Sequence, residues 1–93
     1  MRIEGYIEHP NMKITVFKMD TRLSVKFETG NYEQTYKFRM GDLIQSFRDI
    51  EKLVDSSFMG GVLKEFERMS RISGMALERH LPRKGEEEFP DIV

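Results

Sequence analysis

Residues 23–39 read LSVKFETGNYEQTYKFR, and this stretch decides the fold. Leu23, Val25 and Phe27 alternate with Ser24, Lys26 and Glu28, the period-two pattern of a strand with one face buried and the other in water. Gly30-Asn31 then supplies a two-residue hairpin connection, since both residue types tolerate a positive φ. Beyond it Tyr36 and Phe38 point inward, and Thr35, Lys37 and Arg39 outward. The pattern predicts an antiparallel pair of strands at about 22–28 and 32–39.

The same alternation continues toward the N-terminus. Residues 12–19, MKITVFKM, set Ile14 and Val16 on one face and Lys13, Thr15 and Phe17 on the other, and Asp20-Thr21 closes a tight turn. Residues 2–9 put Ile3, Gly5 and Ile7 on the inner face, with Glu4, Tyr6 and Glu8 outside. His9-Pro10-Asn11 ends that strand, because proline cannot donate to the ladder. Four strands joined by three short connections predict an antiparallel meander.

The period changes after Gly41. Asp42 is a suitable N-cap, Gln45 stands three residues on, and Leu43, Phe47, Ile50 and Val54 share one helical face. A helix is expected over about 42–54. Asp55-Ser56-Ser57 caps a second, over about 56–81, stopped by Pro82. On it Phe58, Val62, Phe66, Met69, Ser73 and Ala76 share a face that Met59, Leu63 and Leu77 widen, and Gly60-Gly61 is the weak point. Each glycine costs about 1 kcal/mol against alanine, so the pair marks a kink or a close backbone approach to a partner.

At 1.5 Å per residue such a helix spans roughly 38 Å, against roughly 20–27 Å for strands of this length. It should overhang its own sheet. The expected architecture is α+β: a four-stranded meander, then two helices on one sheet face, over residues 1–81. A homodimer through Phe58, Met59, Val62, Leu63, Phe66, Met69, Ala76 and Leu77 would cover the overhang. The alternative is a monomer whose helix breaks at Gly60-Gly61 and folds back. Residues 82–93 read as a flexible acidic tail, with Gly85 and Pro90. Its Glu86-Glu87-Glu88 run is a loose cation attractor at most, and its Phe89-Pro90-Asp91-Ile92-Val93 end is a candidate docking peptide.

Ninety-three residues suffice for one domain and not two. The chain has no cysteine, which excludes disulfides and thiolate metal sites and favours the cytoplasm. No apolar run has the length of a signal peptide or a membrane span. Fifteen Lys/Arg against sixteen Asp/Glu argue against a histone-like polycation. The positive excess lies in residues 1–40, with seven Lys/Arg and five Asp/Glu.

No pattern of catalysis stands out. His9 and His80 lack a partner at metal-ligand spacing, and no serine lies in a Gly-x-Ser-x-Gly setting. Gly60-Gly61 is too short to cradle a phosphate. A non-enzymatic domain without metal, cofactor or small-molecule substrate is expected. The outer sheet face does carry a pattern. Arg2, Glu4, Tyr6, Glu8, Lys13, Thr15, Phe17, Met19, Arg22, Ser24, Lys26, Glu28, Glu33, Thr35, Lys37 and Arg39 bring six cations, four carboxylates and two aromatics together. Bases stack on aromatics while Lys/Arg neutralise phosphates, so Tyr6, Lys13, Phe17, Lys26, Lys37 and Arg39 are candidate contacts for single-stranded nucleic acid. The bland reading of the same residues is a solvated sheet face stabilised by cross-strand charge pairs. The alternative function is an assembly module acting through the long helix and the tail. In the order of its elements, the chain resembles the unit of the Pur-alpha and Whirly families, a resemblance that implies nucleic-acid binding on the sheet.

Overall fold

The computed structural model describes residues 1–81. The acidic tail, with its Glu86-Glu87-Glu88 run and its Phe89–Val93 end, lies outside the described residues. Strands β1 (Arg2–Ile7), β2 (Lys13–Met19), β3 (Arg22–Thr29) and β4 (Tyr32–Arg39) pair antiparallel in the order β1-β2-β3-β4, and helices α1 (Phe47–Leu53) and α2 (Ser56–His80) follow. The chain is thus an α+β fold with a meander sheet. Asp20 and Gly30, the first loop residues of the β2–β3 and β3–β4 turns, both adopt φ of 55°, the left-handed region that aspartate tolerates and glycine enters freely.

The helices cover one sheet face. Ile14 and Val16 of β2, Leu23, Val25 and Phe27 of β3, Ile50 of α1, and Val62 and Phe66 of α2 form the buried core. An aromatic trio closes its β4 side: the Phe27 ring stacks on Phe58 at 5.8 Å, and Tyr36 meets both edge-on at 5.9 and 5.1 Å. Gln34 ties β4 to α2, donating from Nε2 to the Val62 carbonyl at 3.0 Å and accepting the Tyr36 hydroxyl on Oε1.

Two sequence expectations are corrected, and of two alternatives for the long helix the break is set aside. The first concerns β1. Its register with β2 runs Ile3 against Phe17 and then Gly5 against Val16, so Glu4 is the extra residue of a β-bulge. Side chains alternate with period two, so one inserted residue reverses the face of everything before it. Ile3 therefore stands on the open face beside Tyr6, not with Gly5 and Ile7, and Arg2, paired with Lys18, shifts off it.

The second concerns α1, which begins at Phe47 rather than at Asp42. Residues 41–44 form a turn, with the Gly41 N–H on the Ile44 carbonyl at 2.9 Å. Leu43 is 86% exposed and so lies outside the core stripe. The cap is Ser46, and Asp49 at the third helical position reaches back to accept the N–H groups of Gln45 (2.7 Å) and Ser46 (3.1 Å).

The alternatives for the long helix turn on Gly60-Gly61. α2 runs unbroken from Ser56 to His80, started by the Asp55 carboxylate on the Phe58 N–H at 2.9 Å. Among the described residues a Cβ at either glycine would meet nothing within 4 Å, so neither a break nor a close approach to another described residue explains the pair.

Past Met69 the helix leaves the sheet at the β3–β4 turn. From Ser70 to Leu81 only Ser73 is even half-buried. Ile72 (64%), Met75 (52%), Leu77 (58%) and Leu81 (58%) stand in solvent.

Candidate nucleic-acid interface on the open sheet face

The strand registers place the outward residues in four rows across the sheet. Lys13, Glu28 and Glu33 form the row at the Gly30 end, and Tyr6, Thr15, Lys26 and Thr35 form the next. Ile3, Phe17, Ser24 and Lys37 form the third, and Met19, Arg22 and Arg39 the last. All six candidate nucleic-acid contacts, Tyr6, Lys13, Phe17, Lys26, Lys37 and Arg39, are brought to this one face.

Its charge differs from the sequence expectation because of the bulge and because β1 ends at Ile7. With Arg2 and Glu4 paired to each other at 2.9 Å away from these rows, and Glu8 past the end of β1, the rows keep five cations and two carboxylates. The two carboxylates, Glu28 and Glu33, are cross-strand partners at one end. At the other, Arg22 is the direct partner of Arg39, and Lys37 stands one row away on the same strand. Lys26 is drawn to Glu28 at 3.9 Å, and the Lys13 ammonium lies 5.9 Å from the centre of the Tyr6 ring, a cation–π approach. Among the described residues Arg22, Lys37 and Arg39 make no ion pair.

Two shallow hollows lie along this face. One, of about 160 Å³, is lined by Met1, Ile3, Tyr6, Lys13, Thr15, Phe17, Lys26 and Glu28. The other, of about 200 Å³, is lined by Met19, Asp20, Thr21, Arg22, Ser24 and Lys37. The Phe17–Ser24 row separates them. Thr15 and Ser24 are buried in its floor because longer side chains flank them on both strands. Tyr6 (55%) and Ile3 (54%) are open to solvent. The first hollow offers apolar and aromatic surface beside Lys13, Lys26 and Glu28, and the second offers the cations Arg22 and Lys37 with Asp20 at its edge.

Sequence reading missed Ile3 and Met1 as members of the candidate site, and placed Arg22 on this face without counting it among the contacts. The available signal was Gly5, since an isolated glycine inside a strand pattern marks a bulge or a close approach. It marks both here. A Cβ on Gly5 would lie 2.8 Å from Cε1 of Phe47.

Of the eight residues considered for a dimer contact, Val62 and Phe66 are buried in the chain's own core, with Phe58, Met59 and Met69 packed against it. Leu63, Ala76 and Leu77 are exposed. Among the described residues no cluster of His, Cys, Asp or Glu is placed to hold a metal ion, and no helix is long and apolar enough to cross a membrane. Comparison with protein-family models, with curated proteins and with solved structures returned no match.

Proposed function

We propose that the open sheet face binds single-stranded nucleic acid, with a base against Tyr6, Ile3 and Phe17 and phosphates at Arg22, Lys37 and Arg39. The observation that carries this reading is the facing of Arg22 by Arg39 with Lys37 beside them and no carboxylate paired to any of the three among the described residues. Like charges directly opposite each other destabilise a sheet. An anion held between them removes that penalty, and an aromatic hollow one row away suits the base attached to a phosphate.

The test is fluorescence anisotropy of a labelled oligothymidylate titrated with the full chain across a salt series. Expected are binding at ~50 mM salt, a linear fall of log K with log salt, and a shallower slope by about 0.7 for each phosphate contact removed. Absence of binding at ~50 mM salt, or binding unchanged in an Arg22→Ser/Lys37→Ser/Arg39→Ser variant, overturns the proposal.

A second reading rests on a different observation. The exposed apolar residues of α2 beyond the sheet, Leu77 and Leu81 above all, favour self-assembly through the helix.

A further inference from the structure

Beside the point where α2 leaves the sheet lies a broad groove of about 680 Å³. It is lined by Met12 and Tyr32 at the strand ends and by Leu63, Phe66, Glu67 and Ser70 of α2, with the β3–β4 turn at its edge. Leu63 is 46% exposed above it. Leu63, Ser70 and Leu77 recur every seven residues and so form one stripe along the helix, at the spacing of a helix–helix seam. The first half of that stripe borders the groove. The second half, with Leu77 and Leu81, overhangs solvent. Each copy therefore carries a groove with an apolar floor of Met12, Tyr32, Leu63 and Phe66 and a polar edge, and a projecting apolar stripe on the same side of the same helix. That is the self-complementary arrangement a two-fold contact requires.

The charges along the outer flank of this stripe select the direction. Lys64, Glu67, Arg71 and Glu78 read plus, minus, plus, minus, and none of the four makes an ion pair among the described residues. A second helix laid antiparallel and centred on Ser70 presents the series reversed. Lys64 then meets Glu78 of the partner subunit, and Glu67 meets Arg71 of the partner subunit. In a parallel pair about a two-fold axis along the helices, this flank of one copy and the same flank of the other lie on opposite sides of the seam, so none of the four charges gains a partner. Ser70, Ser73 and Gly74 keep the crossing point narrow, and Leu63 falls opposite Leu77 of the partner subunit.

We infer that α2 pairs antiparallel with α2 of a second copy about a two-fold axis at Ser70, each overhang lying in the groove of the other. The inference rests on the self-assembly reading of α2 and adds its partner, direction and register. Ile72 and Met75 lie on the side of the helix turned away from this stripe and take no part.

The test uses the full chain, whose lack of cysteine makes introduced thiols unique. Sedimentation equilibrium is expected to show a dimer, and Leu77→Asp, outside the core, to return it to monomer while leaving the far-ultraviolet spectrum of the fold unchanged. Lys64→Glu is expected to weaken the dimer on the order of tenfold, through its two symmetry-related pairs, and adding Glu78→Lys to restore it. Mixed Leu63→Cys and Leu77→Cys chains should cross-link to each other under mild oxidation, while Leu63→Cys chains alone should not. A monomer at ~100 µM overturns self-assembly itself. A dimer in which Leu63→Cys chains cross-link to one another, or in which the charge exchange fails to restore affinity, overturns the antiparallel register alone. A wild-type dimer unaffected by Leu77→Asp places the contact elsewhere and overturns the inference.

Discussion

Arg22 on β3 and Arg39 on β4 are direct cross-strand partners on the open face. Two like charges on directly opposed residues oppose folding and favour an anion. Replacing either should therefore move stability and binding in opposite directions. Arg39→Thr is expected to raise stability by about 0.2–1 kcal/mol, the range of a cross-strand pair, measured by urea unfolding at low salt. The same variant should bind the oligonucleotide more weakly and with a shallower salt slope. A loss of stability without a loss of affinity would count against the anion site.

The Phe47 ring occupies the space that a side chain at position 5 would need. Gly5→Ala must displace that ring and is expected to cost about 1–3 kcal/mol, as overpacking of a filled core does. Gly5→Ala combined with Phe47→Leu should cost less than the sum of the single changes, because the neighbours share one volume. Urea midpoints of the four chains close the cycle.

Asp49 gives the protein an acid limb. The Gln45 N–H that its carboxylate accepts, helped by the Ser46 N–H and the nearby Lys52 charge, holds its pKa below the ordinary aspartate value against a smaller opposing effect of burial. A depressed folded pKa stabilises above the unfolded value and ceases to as pH falls through the folded one. Stability should therefore decline below pH ~4, and Asp49→Asn should flatten that part of the curve. Denaturation midpoints from pH 6 downward provide the measurement.

Tyr36 gives the opposite limb. Burial first, and then the negative charge of Glu65, raise its phenol above the ordinary value. The folded state thus holds this proton more tightly than the unfolded chain. Its stabilisation is complete below the unfolded pKa of about 10 and is lost as pH rises through the folded one. Tyr36→Phe should lessen the alkaline loss while forfeiting the hydroxyl contact to Gln34 at neutral pH.

Two apolar residues of α2, six positions apart, should behave differently. Phe66 is 7% exposed and belongs to the core, whereas Ile72 is 64% exposed and has left the sheet. Phe66→Ala is expected to cost about 3–5 kcal/mol, and Ile72→Ala to stay within about 0.5 kcal/mol. Thermal and urea unfolding of both variants separate the two halves of the helix.

The legible parts of the fold were those with local causes. The alternation from Leu23 to Phe27, the Gly30-Asn31 turn, and the Asp55 cap each act over a few residues, and each stands in the structure where its pattern puts it. Asp42 was misleading because two capping sets compete within eight residues. The Asp49 carboxylate, reaching back to Gln45 and Ser46, starts the helix later than the Asp42–Gln45 pattern does. In the candidate site, Tyr6, Phe17, Lys26, Lys37 and Arg39 were assigned to the outer face from periodicity alone, and that is where they stand.

By itself, the sequence determined the meander and the long helix, because a period of two or of 3.6 is a property of neighbouring residues. Only the tertiary structure decided what lies across from what. The bulge at Glu4 is defined by the pairing with β2, and the Phe47 ring packs over Gly5 beside it, contacts distant in the chain. It moved Ile3 onto the open face and took Arg2 off it. The facing of Arg22 by Arg39 likewise follows from hairpin register, and the boundary between the packed and projecting halves of α2 follows from where the sheet ends.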